Sequence, residues 1–245
     1  MAQDTTAPAA EPRPAETGLT RELLLQGALP ALVAAAHPEV RLLSDEERAA
    51  SLRAILDARP EHGDGLWVFA YGSLIWNPLI HHTARRLAHV PGWRRSFCLS
   101  TKAGRGTPDN PGLMLGLRSD GAHGLGCTGA VFRIAEELLE QELDILWRRE
   151  MVASGYIPRW VPIEDAAGGA LGAAIAFTIN PKGPTYCGDL PEADVVRRLA
   201  TARGGLGTAA EYLFRTRDGL VEMGIHDPFV ERLAHLVDLE LKPAA

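Results

Sequence analysis

A candidate ligand-binding turn lies at residues 71–74, directly after the apolar run 66–69. The run predicts a buried strand, and Gly72 permits a tight turn and a close approach of the backbone to a ligand. A strand that ends in this way presents unpaired backbone N–H groups, which can hold a carboxylate or a developing oxyanion. A plain strand-to-loop junction can carry the same Tyr-Gly-Ser tripeptide, so the turn by itself leaves both interpretations open.

One carboxylate stands on an otherwise apolar helix face. The predicted helix 136–151 has a stripe of apolar residues at Leu139, Leu143 and Leu146. Glu150 is the next position on that stripe, whereas three other acids recur every four residues on a different face, at Glu136, Glu140 and Asp144. Desolvation and the negative end of the helix dipole would both raise the pKa of Glu150 towards the range of a general base. The spacing is equally compatible with a frayed last turn in which Glu150 faces water or pairs with Arg149.

Arginines supply the candidate cations. Arg105 lies on the glycine-rich loop 104–108, and its planar guanidinium could pair with a substrate carboxylate. A solvated loop arginine is the alternative. Arg94 and Arg95 begin a predicted strand and point to opposite faces, so at most one can face a given pocket. We favour a structural role for Arg94 and leave Arg95 open.

Three other patterns carry less information. The Gly-x-Gly-x-x-Gly match at 124–129 precedes a predicted strand instead of opening a helix, so we reject a dinucleotide site. His81 and His82 have no partner at metal-ligand spacing and predict a surface loop, so no metal site is expected. Ser73 lacks the Gly-x-Ser-x-Gly context of a nucleophile elbow, and we expect its hydroxyl or amide to bind a substrate.

The elements that position these residues predict an α+β fold with a partly closed β-barrel and flanking helices. Helices are expected at 20–36, 44–58, 136–151, 192–202, 209–219 and 228–242. Strands are expected at 66–70, 87–90, 93–100, 113–117, 127–134, 156–163 and 171–179. Ser44 with Glu47, and Thr208 with Glu211, have the spacing of capping boxes.

The composition is that of an ordinary globular protein. The 245 residues are 46% hydrophobic and 23% charged, and the net charge of −6 argues against general nucleic-acid binding. The three cysteines are widely spaced, which predicts reduced thiols in a cytoplasmic protein. No secretory signal and no membrane span are predicted.

The chain divides into three parts. Residues 1–18 are rich in alanine and proline without periodicity, and they are expected to be a disordered tail. Residues 19–65 predict a helical N-terminal extension and linker, which could pack on the main domain or mediate association. Residues 66–245 form the main domain.

Several separated segments of the main domain resemble the γ-glutamylcyclotransferases. Tyr-Gly-Ser-Leu at 71–74 is similar to their signature, and Ile-Trp-Asn-Pro at 75–78 is similar to the ChaC branch. Further similar segments follow in the same order, at 104–108, 111–115, 146–156 and 204–214. Ala70 and Phe132 depart from the pattern, because many relatives carry glycine and tyrosine there. The resemblance spans roughly residues 66–241 and implies that residues 66–245 form a catalytic domain.

The resemblance implies degradation of glutathione by intramolecular cyclisation. The α-amino group of the γ-glutamyl unit attacks its own γ-carbonyl, and 5-oxoproline and Cys-Gly are released. Glu150 is then implied as base and acid, and the γ-glutamyl carboxylate and carbonyl are held by Tyr71, Gly72, Ser73 and Leu74. Arg105 is a further binding candidate, and so is Tyr212, for which half-buried helix packing is the more ordinary interpretation. The substrate supplies the nucleophile, so no cofactor is implied.

Three other functions are compatible with these residues. The same fold could act on other γ-glutamyl amino acids or amines. A non-catalytic binding or regulatory protein could retain the pocket, although it would have little reason to bury Glu150. A serine hydrolase using Ser73 is the most distant.

Overall fold

The structure of the chain, a computed structural model, describes residues 18–60, 65–121 and 124–242. The disordered tail expected at 1–18 therefore falls almost entirely outside the described residues, and so does most of the linker that precedes residue 65. Within the described ranges, no helix combines the length and the apolar character that crossing a membrane requires.

Short strands make up most of the main domain. The described strands are β1 (Gly65–Ala70), β2 (Ala84–Val90), β3 (Trp93–Thr101), β4 (Gly112–Ser119), β5 (Cys127–Ala135), β6 (Tyr156–Glu164), β7 (Ala170–Ile179), β8 (Arg203–Gly204) and β9 (Gly207–Thr208). Each of the seven longer strands overlaps a predicted one, because their buried residues are the apolar and β-branched runs of the sequence.

Five strands close into a barrel in the order β1, β5, β2, β6, β7. Neighbours are antiparallel except β1 and β7, which meet in parallel at Val68 and Ile175 and complete the ring. Strands β2 and β6 meet at the pair His89 and Glu164. The predicted α+β barrel is confirmed. Two of its strand contacts, β1 with β7 and β2 with β6, consist of a single residue pair each.

Strand β7 changes partner along one edge. It pairs with β1 at Ile175, and three residues later it pairs with β4 at Thr178, opposite Leu117. Strand β3 extends the sheet beyond β4. The end of β1 and the turn that follows it therefore lie where the sheet splits between the barrel and the β3–β4 pair.

Helices cover the barrel and the β3–β4 pair. They are α1 (Arg21–Leu25), α2 (Ala28–Ala36), α3 (Asp45–Asp57), α4 (Leu139–Glu150), α5 (Glu192–Thr201), α6 (Ala209–Glu222) and α7 (Pro228–Leu241). A 3-10 turn, Glu136–Leu138, precedes α4. The Ser44–Glu47 capping box is confirmed.

Two details of the helix predictions are wrong. The single helix expected over 20–36 is broken into α1 and α2, because Gly27 adopts the left-handed conformation with φ of 69°. The second capping box is only half present. Thr208 accepts a hydrogen bond from the Glu211 N–H, but the Glu211 carboxylate instead binds arginines.

The N-terminal extension packs on the main domain. The Arg21 guanidinium donates to both carboxylate oxygens of Glu142, at 2.6 and 2.9 Å. The indole N–H of Trp147 on α4 donates to the Ser51 hydroxyl, and that of Trp160 on β6 donates to the Ile55 carbonyl. Of the two roles left open for the extension, packing on the main domain is the one that the structure shows.

Candidate active site

A cavity of about 220 Å³ opens at the split in the sheet. The turn at residues 71–74 forms part of its lining, together with Leu115 of β4, Glu150 at the end of α4, Tyr212 of α6 and residues of α2. The cavity thus gathers residues from both ends of the described chain. All seven site residues expected from the sequence line it: Tyr71, Gly72, Ser73, Leu74, Arg105, Glu150 and Tyr212.

The turn after β1 is held in place by hydrogen bonds at Tyr71, whereas three of its backbone N–H groups are unpaired within the described ranges. The Tyr71 hydroxyl donates to the Phe177 carbonyl of β7 at 2.7 Å, and the Arg95 guanidinium donates to the Tyr71 carbonyl at 3.0 Å. Among the described residues, the N–H groups of Gly72, Ser73 and Leu74 have no protein acceptor. This is the cluster of unpaired donors that the strand–turn pattern predicts, and it can accept an anion or a polarised carbonyl.

Arg94 and Arg95, the two arginines at the start of β3, have different surroundings. Arg95 is buried and also binds Asp227 and the Thr128 carbonyl, so it joins β3 to the turn and to the start of α7. Arg94 pairs with Asp120 and Asp189 on the other face of β3. The structural role favoured for Arg94 fits these contacts, and the role of Arg95 is to hold the backbone of the turn.

Glu150 faces the cavity with 13% of its side chain exposed. Its carboxylate forms an ion pair with Nε of Arg149 at 2.9 Å. Arg149 also donates to the Ser73 hydroxyl at 2.7 Å and to the Asn77 carbonyl. One guanidinium therefore links the acid at the end of α4 to the turn after β1.

Burial raises the pKa of the Glu150 carboxyl above its usual range, whereas the charge and the hydrogen bond of Arg149 oppose the shift. The two alternatives for Glu150, burial on the apolar face and pairing with Arg149, are both present. A carboxylate whose pKa is raised by burial is better suited to accept a proton from a ligand and return it.

Tyrosine hydroxyls surround this acid. Burial, reinforced by the charge of Glu150, raises the pKa of Tyr71 and Tyr156 well above the usual value. Burial likewise raises the pKa of Tyr212 to about 12. All three hydroxyls therefore stay protonated at neutral pH, and each can act as a hydrogen-bond donor but not as a base.

Two of these tyrosines meet at one strand residue. The Tyr156 hydroxyl donates to the Leu115 carbonyl at 2.9 Å, and the Leu115 N–H donates to the Tyr212 hydroxyl at 3.4 Å. The Tyr212 proton has no acceptor among the described residues, so it is available to a ligand. A Cβ at Gly72 would lie only 3.0 Å from the Tyr212 oxygen, so a glycine in the turn allows this close approach.

Arg105 is a buried clamp and not a solvated loop residue. Its Nη1 donates to the Thr208 carbonyl at 2.8 Å and to the Glu211 carboxylate at 3.1 Å. Gly207 has φ of 111°, and a Cβ there would lie 2.2 Å from a carboxylate oxygen of Glu211. The glycine of this loop is therefore required for the arginine–glutamate pair, which fixes one side of the cavity.

Sequence reasoning missed several cavity residues. Arg215 pairs with Glu211 at 3.0 Å and lies 5.4 Å from the Trp76 ring centre. Its spacing of three from Tyr212 places both on one face of α6, which was an available signal. The sequence indicated Arg149 only as a partner of Glu150. Tyr156 lies in the similar segment 146–156, but its contact with β4 is tertiary and gave no indication of its place in the cavity.

The rejected patterns lie outside the cavity. The glycines at 124–129 lead into β5, and Phe132 packs edge-on against the ring of His82. His81 binds the carboxylate of Glu142. In the described ranges, no group of three potential ligands is arranged to hold a metal ion.

Comparison with known proteins identifies relatives of this chain. The family model of ChaC-like proteins matches residues 66–240. The glutathione-specific gamma-glutamylcyclotransferase of Escherichia coli (strain K12) is 43% identical over 189 residues, which cover 77% of this chain and 79% of that protein. The human glutathione-specific gamma-glutamylcyclotransferase 1 is 33% identical over 176 residues, covering 71% and 77%.

A solved structure shares the fold. The crystal structure of a selenomethionine-labelled gamma-glutamyl cyclotransferase specific to glutathione, from yeast, superposes with a TM-score of 0.66 at 22% identity. The match covers 72% of this chain and 97% of that one.

Proposed function

This chain belongs to the ChaC-like protein family, and on that premise we propose that it cleaves glutathione to 5-oxoproline and Cys-Gly. The supporting observation is that one cavity joins the unpaired N–H groups of the turn to a desolvated carboxylate, Glu150. Such a site can bind an acyl group and move a proton, which are the two tasks of this reaction.

The reaction needs no nucleophile from the protein. The α-amino nitrogen of the γ-glutamyl unit forms a bond to its own γ-carbon, and the γ-amide C–N bond breaks. Glu150 accepts the proton that the amine loses and delivers it to the departing amine of Cys-Gly, so charge and protons balance. Holding the amine against the carbonyl in a five-membered ring geometry is the main contribution of the cavity.

The proposed binding roles follow the geometry of the turn. The N–H groups of Gly72, Ser73 and Leu74 hold the γ-glutamyl carboxylate and carbonyl, and the backbone at Tyr71 sets their direction. The Tyr212 hydroxyl donates to the developing oxyanion. Arg105 offers its remaining N–H groups to a substrate carboxylate.

We place this reaction in the cytoplasm. Cys98, Cys127 and Cys187 are all free thiols, as a reducing compartment permits.

The test incubates the full chain with glutathione and follows Cys-Gly and 5-oxoproline by mass spectrometry. The Glu150→Gln variant is expected to reduce turnover by about a hundredfold or more, because the amide cannot exchange the proton. Glu140→Gln serves as the matched control, since Glu140 is an exposed acid on the same helix.

The other outcomes discriminate between functions. Glutamate in place of 5-oxoproline would mean hydrolysis and would contradict the cyclisation step. Full activity of Glu150→Gln would show that the base is another group. Preference for γ-glutamyl-alanine over glutathione would assign a different γ-glutamyl substrate to the same site.

A further inference from the structure

One side of the cavity comes from outside the part of the chain that the family model matches. Helix α2 presents Leu29, Leu32 and Val33 to the cavity, and we call these three residues the α2 face. They follow the spacing of one helix side, yet none of them is fully buried. The α2 face therefore lines the cavity with apolar surface that protein covers only in part.

The extension is attached to the segments that carry the site. The Asn77 side chain donates to the Leu19 carbonyl at 3.0 Å, and the Lys102 N–H donates to the ring of the buried His37 at 2.8 Å. The Leu43 N–H donates to the Val152 carbonyl at 2.9 Å. These three anchors lie within three residues of Leu74, Arg105 and Glu150, respectively.

In the proposed reaction, the γ-glutamyl unit of the substrate occupies the polar end of the cavity. The turn, Glu150 and Tyr212 must surround the γ-glutamyl unit, because its amine and carbonyl react there. The remainder of the substrate must then extend along the rest of the lining, which includes the α2 face. Helix α2 has no charged residue, so this wall offers apolar contact only.

We propose that the α2 face contacts the amino-acid residue that leaves with the amine, and that it selects leaving residues with uncharged side chains. The inference rests on the proposed function and assigns a specificity role to the extension. A charged leaving side chain would lose its hydration against Leu32 and Val33 without gaining a partner on α2. An uncharged side chain such as that of cysteine or alanine gains apolar contact there.

The experiment compares Leu32→Asn with Leu25→Asn in the full chain. Leu25 is 57% exposed on the neighbouring helix and does not line the cavity, so it is a control for the same change elsewhere in the extension. Two constants are measured: the KM for glutathione, and the inhibition constant of γ-glutamyl methylamide. The methylamide has the γ-glutamyl unit but no leaving residue.

We expect Leu32→Asn to raise the KM for glutathione about tenfold, since the loss of a single apolar contact changes discrimination by about this factor or more. The inhibition constant of the methylamide and the kcat are expected to change by less than about twofold. Val33→Thr keeps the branched shape of a partly buried side chain and adds only a hydroxyl to the α2 face, so it is expected to act in the same direction and serves as a second variant should Leu32→Asn not fold.

Two results would overturn the inference. One is an unchanged KM for glutathione in both variants. The other is an equal rise in KM and in the inhibition constant, which would place the effect at the γ-glutamyl end. Failure of the proposed function looks different, because the wild-type chain would then release no Cys-Gly from glutathione at all.

Discussion

At the scale of single residues, two opposing effects set the pKa of one carboxylate, that of Glu150. Burial raises the pKa of Glu150, and Arg149 limits the rise. The same arginine binds the Ser73 hydroxyl, so one side chain connects the proposed proton-transfer group to the proposed binding turn. Removing Arg149 should therefore change both the pH dependence and the geometry of the site.

Arg149→Gln is expected to shift the acid limb of kcat/KM to higher pH, because a neighbouring positive charge no longer favours the Glu150 carboxylate. The direction of the shift follows from the proposed role of Glu150 as a base. Activity needs the deprotonated form, so a higher pKa means that activity is lost earlier as the pH falls.

The measurement is kcat/KM for glutathione across the acid range, with Arg148→Gln alongside. Arg148 is partly exposed and pairs with Asp144, which makes it a control one residue away. A shift of the same size in Arg148→Gln would point to a general charge effect and not to the Arg149–Glu150 pair.

Tyr212→Phe is expected to lower kcat by about ten- to a hundredfold, because one donor to the oxyanion is lost. The ring contacts with Trp76 and Phe97 remain, so the thermal unfolding midpoint should change little. Steady-state kinetics and a melting curve test this together. Tyr186→Phe, at a tyrosine that does not line the cavity, should keep full kcat.

At the scale of elements, two glycine-containing loops enclose the cavity. Leu206 in the β8–β9 hairpin donates its N–H to the Gly104 carbonyl at 2.7 Å, which joins that hairpin to the Arg105 loop. The sequence predicted the glycine-rich loop at 104–108, whereas 204–208 was indicated only by its similarity to the γ-glutamylcyclotransferases. Their mutual contact was not predictable, because it joins residues about a hundred positions apart.

Gly207→Ala tests this contact. The left-handed φ and the contact of the new Cβ with Glu211 should together destabilise the fold by about 1–3 kcal/mol. The displaced Arg105 should also raise the KM for glutathione. Urea denaturation gives the first quantity and steady-state kinetics the second.

Gly205→Ala is the matched control for that variant. A Cβ at Gly205 meets nothing within 4 Å, and its φ lies outside the left-handed region. Equal destabilisation by the two alanines would contradict the specific clash at Gly207.

At the scale of the whole molecule, the extension and the barrel are joined by an ion pair. Glu142 is fully buried, and it accepts hydrogen bonds from Arg21, from the His81 backbone and from the His81 ring. Burial raises its pKa, but these hydrogen bonds outweigh burial, so the pKa of Glu142 is lowered overall. This acid was not identified as a special position from the sequence.

Glu142→Gln is expected to cost about 2–3 kcal/mol of stability, since it leaves Arg21 without its carboxylate. The stabilisation by Glu142 is present above the carboxyl pKa of the unfolded chain and is lost as the pH falls through its lower folded value. The variant should therefore lose less stability on acidification than the wild type.

Urea midpoints at neutral and acidic pH test this, with Glu140→Gln as the exposed control. Limited proteolysis within residues 18–44 gives a second readout, because release of the extension from the main domain would expose the peptide bonds of these residues to the protease. An unchanged midpoint in Glu142→Gln would contradict the anchoring role.

The amino-acid sequence by itself determined the local features. The strand and turn at 66–74, the apolar stripe that ends at Glu150 and the cap at Ser44 all depend on residues only a few positions apart. Periodicity and capping act over these short separations, so pattern and structure agree. The break at Gly27 is the exception, because neighbouring helical residues did not reveal its left-handed conformation.

Only the tertiary structure decided how these features meet. Strand β7 exchanges β1 for β4 at the split, Arg149 reaches a serine 76 positions away, and Arg105 reaches Glu211 across 106 positions. Such contacts depend on strand order and on helix docking, which no local pattern encodes. The placement of α2 against the cavity has the same origin, because it follows from how the extension packs on segments that lie far along the chain.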